Sequence, residues 1–152
     1  MRWRGGRSGG KRSSNAARRR DLWPIREFVV GPSYIHSCQR ESAALLYRGF
    51  SLNALMAQCF GNVEDKCTKG RQMPIHYSSP EHGFHTITSP LTTQMPQAAG
   101  TAYQLKLDET RQGDCAICYF GDGAASEGDF HAAMNLSAVL GGPIVWFCRN
   151  NG

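Results

Sequence analysis

Residues 118–152 read CYFGDGAASEGDFHAAMNLSAVLGGPIVWFCRNNG, and they contain the strongest structural signals of the sequence. Two apolar runs, residues 115–120 and 144–148, are short and rich in β-branched and aromatic side chains, which predicts buried strands of a parallel sheet. Between them, residues 126–129 (SEGD) have the form of a capping box, and residues 141–143 (GGP) would end a helix. The stretch therefore predicts a strand–helix–strand unit and an α/β fold, a parallel sheet flanked by helices.

The two strands of this unit end in residues with ligand chemistry. A right-handed crossover places Asp122 and Asn151 at the same edge, where open α/β sheets bind ligands. The glycines beside Asp122 should permit a tight turn, and the following helix N-terminus favours an anion. Carboxylate and amide oxygens suit Mg²⁺, and Arg149 could bind a phosphate oxygen. These residue types predict a magnesium–diphosphate site, whereas the turn alone is equally typical of an ordinary loop with Asp as cap.

Upstream of this unit, helical spacing and breaking residues predict three further helices. Residues 41–60 contain two short apolar stripes separated near Gly49, and we expect these stripes to be core. Ser89 and Pro90 are the residue types of an N-cap and a first helical position, so a third helix should start there. Small residues within positions 98–102 of that helix would let another element approach closely.

The connection over residues 69–90 is rich in Gly, Pro and His, and its length is typical of a functional loop rather than a simple connection. His76, His82 and His85 lack the i, i+4 spacing of a helical metal site, which favours hydrogen-bonding or surface roles over metal binding. His131, one turn into the crossover helix, is better explained as a structural histidine than a catalytic one.

Length and composition limit the classes of protein. A chain of 152 residues with 41% hydrophobic residues is typical of one globular domain. The one CxxC, residues 115–118, lies in an apolar run, which favours buried reduced thiols over a disulfide or zinc framework. No run approaches the roughly 18 apolar residues of a membrane span, so we expect none.

The formal net charge of +5 is concentrated at the N-terminus. Residues 1–20 hold eight of the 17 Lys and Arg and no acid, whereas the later residues hold nine bases against twelve acids. This composition favours an organellar transit peptide or a solvated leader over a nucleic-acid-binding arm, so no nucleic acid is expected as a partner. Residues 21–40, with two Pro and no period, predict a linker. We expect a basic, disordered leader over residues 1–38 and a folded domain over residues 39–152.

The spacing from the glycine-Asp-glycine turn to the paired asparagines resembles a motif of the thiamine diphosphate enzymes. Here 26 residues separate Gly123 from Asn150. More narrowly, the chain resembles the alpha subunit of branched-chain 2-oxo acid dehydrogenase in YFGDGAASEGDFHAAMN, WFCRNNG, GRQMPIHY, ITSPLTTQMPQAAG and LLYRGFSLNALMAQCFGN. The pyruvate dehydrogenase alpha subunit is similar in architecture but differs at residues 124–129. The resemblance, from Gln39 to Gly152, implies part of a thiamine diphosphate-binding fold.

The resemblance implies roles for individual positions. Asp122 and Asn151 match the family's Mg²⁺ ligands, and Arg40 and Arg149 match diphosphate contacts, although Gln39 stands where the family usually has tyrosine. The cofactor-binding set is Arg40, Ser89, Leu91, Gly121, Asp122, Gly123, Ala124 and Arg149. A loop that holds a monovalent cation, with K⁺ as the candidate, matches Thr88, Pro90, Thr93 and Gln94. First-turn helix capping is the alternative for the last two. No catalytic residue is assigned, since the family's catalytic histidines match no position here.

The resemblance also implies an activity and partners. An enzyme of this family, a 3-methyl-2-oxobutanoate dehydrogenase, oxidatively decarboxylates branched-chain 2-oxo acids on thiamine diphosphate and transfers the acyl group to a lipoyl arm. Its alpha subunit pairs with a beta subunit in a heterotetramer, serves a lipoyl acyltransferase core and lies in the mitochondrial matrix. We expect this chain to be a truncated alpha subunit, inactive alone. The alternatives are a non-catalytic chain that only pairs with a partner subunit, and a pyruvate dehydrogenase-type alpha subunit.

Overall fold

A computed structural model describes residues 33–152, so the basic head and the transit-peptide hypothesis lie outside the described residues. The described range contains three strands and four α-helices. The strands are β1 (Tyr34–His36), β2 (Ala116–Gly121) and β3 (Ile144–Arg149). The helices are α1 (Ser42–Tyr47), α2 (Leu52–Phe60), α3 (Gln94–Leu107) and α4 (Gly128–Leu140). None of these helices is long and apolar enough to cross a membrane.

The strands form one parallel sheet in the order β1-β2-β3. The predicted strand–helix–strand unit is confirmed as β2, α4 and β3, and Gly141 ends α4 in the left-handed conformation with φ 58°. Residues of β2 alternate between the two faces of the sheet, as the strand period requires. Cys118 and Phe120 belong to one core cluster, and Tyr119 packs against the other. The sheet therefore supports two cores, one on each side.

One core lies between β2 and the helices α3 and α4. Its buried members are Met95, Ala98, Cys118, Phe120, Ala124 and Ala133. The small residues of α3 do allow close approach, because a Cβ added at Gly142 would lie 2.9 Å from the carbonyl carbon of Ala102. The second core joins β1 and α1 to the long connection before α3. Its buried members are Ile35, Leu45, Phe50, Tyr77, Phe84 and Ile87.

The linker predicted over residues 21–40 is wrong in its last part. Tyr34–His36 form β1, which is held on one side by the hydrogen bond from Tyr34 N to Cys115 O, 3.1 Å. On its other side, Ile35 N donates to Gly83 O at 2.8 Å. A strand of three residues is too short to display a period in the sequence, and its partners are distant along the chain. The folded structure therefore includes residues before Gln39.

The apolar stripes of α1 and α2 are only partly core, contrary to the prediction. Leu45 is fully buried, whereas Tyr47, Leu52 and Met56 are exposed. The two helices are short, and the long connection before α3 supplies apolar core side chains that α1 and α2 were expected to supply. Tyr77 and Phe84 from that connection are among the largest buried side chains.

Both predicted helix starts are displaced. The helix α3 begins at Gln94 rather than at Ser89, because Thr92 has a left-handed φ of 66° and interrupts the turn. The helix α4 begins at Gly128, and Ser126 lies in a short 3₁₀ turn and provides no cap. Local sequence favours Ser89 and Ser126 as helix caps, but neither residue lies at the N-cap position in the folded structure.

The strand β3 is less buried than predicted. Its first residues are half-buried, and Phe147 is 43% exposed. Within residues 33–152, β3 pairs with β2 alone and forms an edge of the sheet. The continuous apolar run therefore identified the strand correctly but overstated its burial.

Candidate functional site

The carboxyl ends of all three strands meet at one edge of the sheet. In the parallel register Gly121 is opposite Arg149, and His36 is opposite Cys118. Asp122 and Asn151 therefore follow strands that end side by side, as the sequence predicted. Both residues are exposed.

The turn at Asp122 leaves the carboxylate free. Asp122 has helical dihedral angles and its carbonyl accepts from Ala125 N at 3.0 Å, while its side chain bonds to nothing within residues 33–152. Neither Gly121 nor Gly123 has a positive φ, so the turn does not use the left-handed conformation that glycine would permit. A Cβ added at either one would meet no atom within 4 Å. The glycines instead leave open space beside the carboxylate, which a ligand could fill.

Arg149 connects this turn to the segment after β1. Its Nη1 donates to the carbonyl of Arg40 at 3.3 Å and lies 3.3 Å from Oε1 of Glu41. Its side chain is 54% exposed, so the guanidinium is held at one end and open to solvent at the other. The Arg40 side chain is exposed, and its backbone lies at the same edge.

Ser89 is held at this edge through a histidine that the sequence analysis did not place in the site. His76 is 4% exposed, and its Nδ1 donates to Pro74 O at 2.9 Å. Its Nε2 then accepts from Ser89 Oγ at 2.8 Å and from Gln39 Nε2 at 3.2 Å. His76 therefore ties the loop that carries Ser89 to the residue preceding Arg40. The hydrogen-bonding role favoured for His76 is confirmed.

Two β-branched residues flank this bridge in a conformation that such residues rarely adopt. Ile75 has φ 71° and Thr92 has φ 66°. Left-handed conformations of this kind persist only where the surrounding structure imposes them, and they cluster at functional sites. Buried Gln58 provides part of that constraint, because its Oε1 accepts from Ile75 N at 2.9 Å and its Nε2 donates to Met73 O at 2.8 Å.

The predicted cation loop contains an unpaired buried oxygen. Thr88 Oγ1 is buried and has no hydrogen-bond partner among the described residues. Gln94 is buried and its Nε2 donates to Tyr119 O at 3.1 Å, which leaves its Oε1 as the available ligand atom. Leu91 is 57% exposed, and Thr93 is half-buried. The side-chain oxygens of Thr88 and Gln94 are suitable ligands for a cation. A buried hydroxyl without a hydrogen-bond partner is unusual, and a bound cation would explain it.

The site thus has two parts. The anchored half consists of Gln39, His76, Thr88, Ser89 and Gln94, which are buried or hydrogen-bonded. The open half consists of Gly121, Asp122, Gly123, Arg149 and Asn151, which lie at the ends of β2 and β3. His131 belongs to neither, because it is exposed on α4 and makes no hydrogen bond among the described residues, so it is not the satisfied structural histidine that was expected.

The sequence analysis did not place two residues, His76 and Glu41, in the site. The only signal for His76 was its position in GRQMPIHY, a stretch that carries the resemblance. Glu41 follows Arg40 directly, but only the folded structure brings its carboxylate to Arg149, 108 residues away along the chain.

The sequence of the chain shows the family to which it belongs. Residues 31–152 match the family model described as dehydrogenase E1 component. The chain belongs to the dehydrogenase E1 component family, which depends on thiamine diphosphate. The match begins eight residues before Gln39 and includes β1, in agreement with the fold.

Curated relatives make the similarity more specific. The chain is 53% identical over 118 residues to the mitochondrial 2-oxoisovalerate dehydrogenase subunit alpha of Caenorhabditis elegans, covering 78% of this chain and 27% of that protein. The human counterpart is 55% identical over 113 residues, with 74% and 25% covered. Subunit alpha 2 of Arabidopsis thaliana is 46% identical over 143 residues, with 94% and 28% covered. The chain spans about a quarter of the length of these relatives.

Proposed function

We propose that this chain is the diphosphate- and magnesium-binding part of the alpha subunit of a branched-chain 2-oxo acid dehydrogenase. The observation that carries the proposal is the register between Gly121 and Arg149, because Asp122 and Asn151 follow these two paired strand ends at one edge of the sheet. The relatives support the branched-chain substrate over pyruvate, since those at 46–55% identity are named 2-oxoisovalerate dehydrogenase alpha subunits.

Each residue has a defined part in this proposal. Asp122 and Asn151 supply oxygen ligands to Mg²⁺, which neutralises the diphosphate next to the carboxylate. Arg40 and Arg149 contact the diphosphate oxygens, and Ser89 and Leu91 line the cofactor together with Gly121, Gly123 and Ala124. When bound, thiamine diphosphate supplies the carbon nucleophile and electron sink for decarboxylation of the 2-oxo acid. The residues of this chain bind and orient that group.

The cation loop is part of the same proposal. Thr88 and Gln94 provide side-chain oxygens to K⁺, and Pro90 and Thr93 complete the set. The unpaired Thr88 Oγ1 supports this assignment, because a cation would satisfy an oxygen that the protein leaves without a partner.

The relatives also support a reaction and partners for the whole protein. We propose oxidative decarboxylation of branched-chain 2-oxo acids with acyl transfer to a lipoyl group of an acyltransferase core, in a complex with a beta subunit. Support for association comes from α2, where Leu52, Met56 and Phe60 project from one face and are 63%, 45% and 76% exposed. Co-expression with a beta subunit should yield a complex by native mass spectrometry, with decarboxylase activity absent from the chain alone.

The mitochondrial matrix is the proposed location. The relatives named above are mitochondrial proteins, and residues 1–20 combine eight basic residues with no acid. A fusion of residues 1–38 to a fluorescent protein should enter mitochondria, and diffuse fluorescence would contradict this part of the proposal.

The site itself is tested by calorimetric titration of the chain with thiamine diphosphate in the presence of Mg²⁺. Replacing Asp122 by Asn should weaken binding by about 100-fold, because a metal ligand loses its charge. Asp129→Asn is the matched control, since it removes an exposed carboxylate from the first turn of α4, and it should bind as the native chain does. Absence of binding by the native chain, or equal binding by the Asp122 variant, would overturn the assignment.

A further inference from the structure

Glu41 follows β1 and contacts Arg149, a residue of the open half. It ends a short 3₁₀ turn, Gln39–Glu41, that follows β1. Its Oε1 lies 3.3 Å from Nη1 of Arg149, at the end of β3. Burial and, second, the negative charge of Glu41 raise the pKa of Cys118 and of Tyr119 on β2.

The carboxylate is buried to a degree that a surface ion pair would not require. The Glu41 side chain is 9% exposed, whereas that of Arg149 is 54% exposed. The second oxygen, Oε2, is buried and has no hydrogen-bond partner among the described residues. A buried carboxylate oxygen without a donor is unfavourable, so its presence at the edge that carries the site needs a functional explanation.

We propose that Glu41 is a positioning residue that fixes the guanidinium of Arg149 for contact with the diphosphate. This inference rests on the proposed function. Arg149 Nη1 contacts both Glu41 Oε1 and the carbonyl of Arg40, whereas the other guanidinium nitrogens make no hydrogen bond among the described residues. A long exposed side chain loses rotamer freedom when it binds a ligand, and holding one nitrogen in advance reduces that loss.

A purely electrostatic role for Glu41 predicts the opposite result. A negative charge near a diphosphate repels it, so removing the charge would then strengthen binding. A positioning role instead requires a hydrogen-bond acceptor at position 41. Glu41→Gln keeps such an acceptor, whereas Glu41→Ala removes it. The two substitutions therefore separate the explanations.

The test uses the full 152-residue chain with Mg²⁺ and inorganic pyrophosphate as the probe, measured by calorimetry. Glu41→Ala should weaken binding by about tenfold and Glu41→Gln by less than about threefold. In an Arg149→Ala background, Glu41→Ala should change binding by less than about twofold, because its partner is gone. Glu109→Gln, an exposed carboxylate before β2, is the control and should bind normally.

A second readout needs no ligand. Nitrogen-15 NMR of the Arg149 guanidinium, assigned by its loss in Arg149→Lys, should show slow rotation in the native chain and faster rotation in Glu41→Ala. Equal rotation in the two proteins, or equal or tighter pyrophosphate binding by Glu41→Ala, overturns the inference. Failure of the native chain to bind thiamine diphosphate or pyrophosphate overturns the proposed function instead, and the NMR result still decides whether Glu41 orders Arg149.

Discussion

The anchored half and the open half of the candidate site lie at the same edge of one sheet but are built in opposite ways. Ser89 and Gln39 are joined through buried His76, whereas Asp122 and Asn151 are exposed. The anchored half is therefore held largely by contacts within the protein and contributes to the stability of the fold. The open half contributes little to stability, so substitutions there should change ligand binding rather than the free energy of unfolding. Each prediction below tests this separation.

The largest effect on stability is expected at His76. Replacing it by Ala removes the acceptor of Ser89 and Gln39 and leaves a cavity at a buried position, so the free energy of unfolding should fall by about 2–4 kcal/mol. His131→Ala is the control, because His131 is exposed and should change stability by less than about 0.5 kcal/mol. Urea denaturation measures both variants. Equal stability of the two would show that the anchored half is not structural.

The pH dependence of stability provides the next test, at His36 beside the anchored half. Burial, and second the charge of His85, whose ring stacks at 3.9 Å, together lower the pKa of His36 to about 3. Its Nε2 is 3.0 Å from Thr101 Oγ1, and its Nδ1 is buried without a partner in the described part of the chain. Protonation is therefore opposed in the native state.

The sign follows from proton binding in the two states. The unfolded chain binds a proton at His36 below about pH 6.5, whereas the native chain does not until about pH 3, so stability falls as the pH falls through this window. Between pH 6.5 and 5 the free energy of unfolding should drop by about 1 kcal/mol per pH unit. His36→Gln should flatten this slope in urea titrations, and an unchanged slope would refute the assignment.

A pair of glycine substitutions compares an interior position with the open half directly. Gly142→Ala forces a Cβ to within 2.9 Å of Ala102 backbone and should lower stability by about 1–3 kcal/mol. Gly123→Ala meets no atom within 4 Å and should leave stability unchanged or raise it by about 0.5 kcal/mol. The same Gly123 variant should bind thiamine diphosphate more weakly, since the Cβ occupies space left for the ligand. Thermal denaturation and calorimetry together decide the comparison.

A small effect on stability is also expected at Thr88. Its buried hydroxyl has no partner among the described residues, so Thr88→Val should change the free energy of unfolding in sodium buffer by less than about 1 kcal/mol. In potassium buffer the native chain should be more stable than in sodium buffer, and the variant should not show this difference. A potassium effect that survives in the variant would remove Thr88 from the cation loop.

The sequence predicted the open half better than the anchored half, for a physical reason. The unit β2, α4 and β3 is contiguous, and its apolar runs and the glycine at position 141 are local signals. The anchored half depends on contacts between distant residues, such as His76 with Gln39 and Ser89, which no local period reports. Ser89 illustrates this, because its hydroxyl favours a helix cap locally but bonds to His76 in the fold. The strand β1 was missed for the same reason.

The pairing of β1 with β2 also bears on the order in which the chain folds. Tyr34 is opposite Ala116, 82 residues later, whereas Ala116 is opposite Ile144, only 28 residues later. Closing the longer loop loses about 1 kcal/mol more chain entropy. The β2–β3 pairing can therefore nucleate first, and β1 docks afterwards onto an existing strand. During synthesis, the segment after β1, which contains Arg40 and Glu41, cannot reach its native position until β2 has left the ribosome.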